Sequence, residues 1–120
     1  MQSKAEKTIR QKIILAKVVL AAAERLGLTG DQLASTLNID SVTPLSNLEF
    51  DPATKQGELA LTLIRIANSL DTLTGGDIVW IQHFMKSPNK LTTGIPIEQI
   101  QNHQGLTTIL LLLEGLQNNS

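Results

Sequence analysis

Leu59, Leu63, Ile66, Leu70 and Leu73 follow one another at intervals of four, three, four and three residues. That spacing puts five aliphatic side chains on one face of a helix and cannot put them on one face of a strand. The middle of the chain is therefore expected to be a long helix with a continuous apolar seam. With one Trp, two Phe and no Tyr, the core has to be built from Leu, Ile, Val and Ala, which favours helix-on-helix packing. An apolar share of 42% against 18% charged residues suits a folded globule. At 120 residues the chain is expected to form one domain or two small ones sharing a core.

Punctuation residues divide the rest into helices. Ser3 and Glu6 have capping-box spacing ahead of a first helix from about Lys4 to Leu26. Its inward stripe is expected at Ile9, Ile13, Ala16, Leu20 and Ala23, widened by Ile14, Val18 and Ala22, and Gly27 suits its C-terminal cap. Thr29 and Gln32 repeat the capping box before a second helix that turns Leu33, Ala34 and Leu37 inward. Asn38 then suits a left-handed turn, and Ser41 caps a short third helix from about Val42 to Leu48. These two short helices match a helix-turn-helix pattern.

Asp51-Pro52 reads as N-cap and first residue of the seam-bearing helix, and Gly75-Gly76 as its stop. Leu61 and Ile64 add apolar surface off the seam, which points to a deep position or a homodimer contact. Asp77 caps the next helix, which carries Trp80, Phe84 and Met85. A core role for that cluster leads, with an interface anchor as the other reading. Ser87-Pro88 ends this helix, Gly94 lies in a loop, and Pro96 opens a short helix. In the last helix, Leu106, Ile109, Leu110, Leu112, Leu113 and Leu116 cover too much of the circumference for one small bundle to hide. A second protein is the expected cover.

Several chemistries find no support in the residues. Without cysteine there is no disulfide and no thiol-bound metal, which fits a cytoplasmic setting. His83 and His103 are expected as polar residues near helix ends, not as metal ligands. Glu98 and Glu114 have no activated nucleophile with them, and Gly75-Gly76 is not a phosphate loop. Neither a cofactor nor an enzymatic activity is expected. The N-terminus has no signal-peptide pattern, and no segment reaches membrane-spanning length.

The order of these features resembles the Xre/MbcA/ParS antitoxin family. The resemblance is carried by Phe84-Met85-Lys86-Ser87-Pro88-Asn89, Gly94-Ile95-Pro96-Ile97-Glu98, Gly105 and Leu110 to Leu113. It extends upstream through Lys55-Gln56-Gly57-Glu58-Leu59-Ala60-Leu61, Arg65, Ser69-Leu70-Asp71 and Gly75-Gly76-Asp77. It implies an all-α fold in which a helix-turn-helix bundle (residues 1–75) packs against a small C-terminal toxin-binding domain (residues 76–120). It further implies a type II antitoxin that neutralises a RES-domain toxin degrading nicotinamide adenine dinucleotide by covering its active-site cleft, with transcriptional autoregulation. A dinucleotide cleft presents cationic and hydrogen-bonding groups. The toxin-binding residues expected on that basis are Leu110, Leu113 and Leu116 as anchor, with Glu114, Gln117, Asn118, Asn119 and Ser120 reaching the pocket.

For DNA, the residues expected to face bases are Ser41, Thr43, Ser46 and Asn47, with Lys4, Lys7, Arg10 and Lys12 as a phosphate clamp. Four carboxylates and no cation lie between Arg25 and Lys55, which opposes phosphate contact. A helix-turn-helix serving as packing scaffold therefore stands ahead of direct DNA binding by this chain alone. The alternative function is a toxin-independent DNA-binding regulator that uses its C-terminal part to dimerise.

Overall fold

The computed structural model describes residues 4–39 and 50–118, with side chains from Ile9 onward. Among the described residues it is all-helical: α1 (Lys4–Leu26), α2 (Gly30–Leu37), α3 (Lys55–Thr74), α4 (Ile78–Lys86), α5 (Pro96–Gln99) and α6 (His103–Asn118). The expected Ser3 cap and the expected third helix from Val42 to Leu48 lie outside the described residues.

The seam behaves as its spacing requires. Leu59, Leu63, Ile66 and Leu70 are all buried, and α3 packs against α1 on one side and α6 on the other. Each of these leucines and isoleucines withdraws from water a side chain worth about 1.5–3 kcal/mol. These four side chains of the seam are thus covered within the chain itself. Leu73, its last member, has left the core and is 38% exposed. One apolar cluster runs from Leu15 and Leu26 of α1 through α3 to Met85, Ile100, Leu106 and Leu113, so it crosses the Gly75-Gly76 turn without a break.

Capping places the ends. Thr29 and Gln32 form the expected reciprocal box, with bonds of 3.1 Å from the Gln32 amide and 2.8 Å from the Thr29 amide. Asn38 closes α2 in the left-handed conformation (φ 57°), and Gly75 closes α3 (φ 67°). The start of α3 differs from expectation. Asp51 does not cap the helix. Its side chain holds the Ala53 amide and its carbonyl accepts from Thr54, whose own hydroxyl caps Gly57. The Asp51-Pro52 turn folds back so tightly that a Cβ on Gly57 would lie 2.0 Å from the Asp51 carbonyl oxygen.

The inward face of α1 is also rotated from the expected one. Leu15, Ala16, Val19, Ala22, Ala23 and Leu26 are buried, whereas Ile9, Ile13, Ile14 and Val18 are 38–58% exposed. The expected stripe took Ile9 and Ile13 as inward. Among the described residues, the buried positions of this 23-residue helix begin at Leu15, and the inward face is the one they define.

Downstream of α4, the chain turns on Asn89. The Asn89 amide donates to Gly94 O (2.9 Å), the Thr93 amide to Asn89 O (2.9 Å), and the Leu91 amide to the Asn89 side chain (2.8 Å). Pro96 then begins α5 as expected. The α5 end packs onto the first turn of α6, where a Cβ on Gly105 would lie 1.9 Å from the Gln99 carbonyl oxygen. Two glycines of α6 therefore have opposite expected responses. Gly105→Ala forces backbone apart and should cost about 1–3 kcal/mol in urea unfolding. Gly115→Ala meets nothing within 4 Å and should stabilise by about 0.5–1 kcal/mol.

Candidate functional site

Asp77 accepts from the amides of Val79 (3.0 Å) and Trp80 (3.4 Å), which starts α4 immediately after the glycine turn. From that start, the helix has to direct Ile81 and Met85 into the core, and both are almost completely buried. Trp80 and Phe84, four residues apart, then fall together on the flank. The expectation that Trp80 belongs to the core is overturned: it is 62% exposed, because the four-residue repeat that α4 buries runs through Ile81 and Met85. Phe84 is half-buried. The Trp80 indole meets the His83 ring edge-on at 5.7 Å.

Trp80 and Phe84 form one wall of an open groove of about 410 Å³. Leu70 and Leu73 of α3 form a second wall, and Leu113 and Leu116 of α6 a third. Thr74 is the one polar residue lining it, and its hydroxyl is already donated to Leu70 O (2.7 Å). The groove therefore offers apolar surface and shape, with no charge and, beyond Thr74, only the Trp80 indole N–H as a polar group of its lining side chains. Such a site takes the aliphatic or aromatic side chains of another protein better than a polar metabolite.

The expected toxin-binding residues divide on burial. Leu110 (5% exposed) and Leu113 (1%) are core residues of this chain, so they do not serve as outward anchors, although an edge of Leu113 forms the groove floor. Packing against α3 already covers that face of α6. The outward leucines are Leu116 (41% exposed) and Leu111 (64%), and only the former was expected in the toxin-binding set. Glu114 is engaged within the chain: Nη2 of Arg65 reaches both its carboxylate oxygens, at 2.8 and 2.7 Å, and ties α3 to α6. As a surface pair it contributes about 0.2–1 kcal/mol. Gln117 is partly buried and Asn118 exposed on the last turn, while Asn119 and Ser120 lie outside the described residues.

Ser41, Thr43, Ser46 and Asn47, expected to face DNA, also lie outside the described residues. Of the expected phosphate clamp, Arg10 is exposed and Lys12 half-buried on α1; the side chains of Lys4 and Lys7 are not among those described. Among the described residues, no group of three or more His, Asp and Glu side chains is gathered as a metal site. His83 instead lies 3.4 Å from the Ser87 hydroxyl at the end of α4.

A second apolar groove, of about 460 Å³, runs between α1 and α3. Ile14 and Val18 line one side and Leu61 and Ile64 the other, with Pro52 at one end. The off-seam residues Leu61 and Ile64 were visible in the sequence as surplus. Their partners on α1 were not, because Ile14 and Val18 had been placed in the core.

Burial separates anchor from scaffold experimentally. Trp80→Ala should leave urea stability within about 1 kcal/mol of the original chain, whereas Leu113→Ala should cost about 2–5 kcal/mol. No protein-family model matches this chain, and neither does any curated protein.

Proposed function

We propose that this protein is the antitoxin of a type II toxin–antitoxin pair, and that it binds and neutralises a RES-domain toxin degrading nicotinamide adenine dinucleotide. The observation that carries the reading is the exposed Trp80, set beside Phe84, Leu73 and Leu116 in a groove with no charged lining. A large aromatic left in water beside apolar walls is the surface signature of a protein contact. The local architecture supports the family resemblance. α4 stops at Ser87-Pro88, Asn89 and Gly94 close a loop, Pro96 leads α5, and Gly105 lies in the first turn of α6, in the expected order.

In this reading the groove supplies affinity. The end of α6, from Leu116 to Asn118, covers the toxin's cleft together with Asn119 and Ser120, which follow it in the sequence. Leu110 and Leu113 hold α6 in place from the inside, and Glu114 fixes its last turns through Arg65. The protein also forms a homodimer in this reading, through Ile14 and Val18 of α1 with Leu61 and Ile64 of α3. That is the apolar surface left over once the seam is buried. Operator binding, where it occurs, draws on the exposed Arg10 and Lys17 of α1.

The deciding experiment is coexpression with the product of the adjacent gene while growth and cellular dinucleotide are followed. The neighbour alone should deplete the dinucleotide, and this chain should restore it. Trp80→Ala and Leu116→Glu should each abolish protection while leaving the helical circular dichroism unchanged. Removing Gln117 to Ser120 should preserve copurification but weaken inhibition. A harmless neighbour, with tight salt-sensitive binding of this chain to its own upstream DNA, would instead favour the toxin-independent regulator. Sedimentation equilibrium tests the dimer separately: Leu61→Glu should convert it to monomer, and an unchanged mass would remove this surface from consideration.

A further inference from the structure

The groove wall carrying Trp80 and Phe84 has little holding it besides its two core residues. α4 is only nine residues long, and the Gly75-Gly76 turn before it has both residues at positive φ (67° and 81°) and no side chain of its own. α4 also meets α3 and α5, and polar bonds reach it and the turn before it from the C-terminus of α1. The Arg25 guanidinium bonds the Asp71 carboxylate near the end of α3 and reaches the Gly76 carbonyl oxygen at 3.5 Å. The Arg25 carbonyl in turn accepts from the Gln82 side chain of α4 at 3.4 Å. Two residues further on, the bare Cα of Gly27 leaves room for the Lys86 stem, which lies 3.0 Å from where a Cβ would be.

We propose that Arg25 is a positioning residue: by joining α3, the glycine turn and α4 at one point, it sets the angle of α4 and so the pose of Trp80 in the groove. Arg25 lines no part of the groove. Its side chain reaches the turn before α4 at Gly76, and its backbone carbonyl accepts from Gln82 within α4. With the side-chain bonds to Asp71 and Gly76 released, and only the backbone bond to Gln82 left, Trp80 moves off Leu73 and Leu116 and the groove widens. The functional consequence, weaker partner binding, rests on the docking role given above to the groove; the coupling from Arg25 to Trp80 does not.

Trp80 is the sole tryptophan, so its fluorescence reports the groove directly. Arg25→Met should increase acrylamide quenching of Trp80 and shift the amide resonances of Leu73 and Leu116, with Arg25→Lys restoring much of both. Asp71→Asn, which keeps shape and loses charge, should move them in the same direction by less. Lys55→Met, which removes a more exposed pair to Glu58 (3.9 Å) on the first turn of α3, should move neither. With the toxin, Arg25→Met should raise the dissociation constant about tenfold, the scale of one displaced anchor. Unchanged Trp80 quenching in both Arg25→Met and Asp71→Asn, with both chains folded, overturns the proposal. A quenching change in a chain that binds no toxin upholds the coupling and counts only against the docking role.

Discussion

Burial of the α3 seam is the interaction on which everything else in this fold depends. Leu59, Leu63, Ile66 and Leu70 are the shared surface against which α1 and α6 are laid, and neither outer helix has another equally extensive apolar partner. With so few aromatic residues available, the energy of the core has to come from many aliphatic contacts along long helices instead of a few large rings. That is why a single central helix, apolar on two sides, can organise a chain of this length.

A central helix covered from both sides also decides what is left outside. Each flanking helix can meet α3 along one face only, and the apolar residues that miss the contact become surface. On the α1 side these are Ile14 and Val18, joined by Leu61. On the α6 side they are Leu116 and Leu73, joined by Trp80 from α4. The two grooves lie along the two seams of the same sandwich. Their chemistry is alike, almost wholly apolar, and it suits contacts with protein surfaces. Polar groups near the Trp80 groove are already engaged: Thr74 with Leu70, Glu114 with Arg65, and Asp77 with the first amides of α4.

Close backbone approach replaces side-chain packing at two of the turns between described helices. Gly57 admits the Asp51 carbonyl and Gly105 admits the Gln99 carbonyl, so the turn before α3 and the turn before α6 are each seated against the helix they introduce. Arg25 performs a related task at the third reversal, where two glycines supply the bend but no contacts. The three junctions together fix the register of α3, α4 and α6, and with it the shape of the groove.

Much of this was legible in the sequence, because helix ends are decided locally. Thr29 with Gln32, Asn38, Gly75-Gly76, Asp77, Ser87-Pro88 and Pro96 each act within a few residues of themselves, and the helices begin or end at them as expected. The seam was legible for the same reason, since its period is a property of one helix. What could not be read is which side of a helix with apolar residues nearly all round would be covered. Ile9 and Ile13 have the same period as Leu15 and Val19, and Leu110 the same chemistry as Leu111, so the sequence alone does not rank them. The ranking came from tertiary packing. α3 can face α1 and α6 along one line each, and that line turned Leu110 and Leu113 inward, left Leu111 and Trp80 in water, and thereby decided which apolar surface stays open.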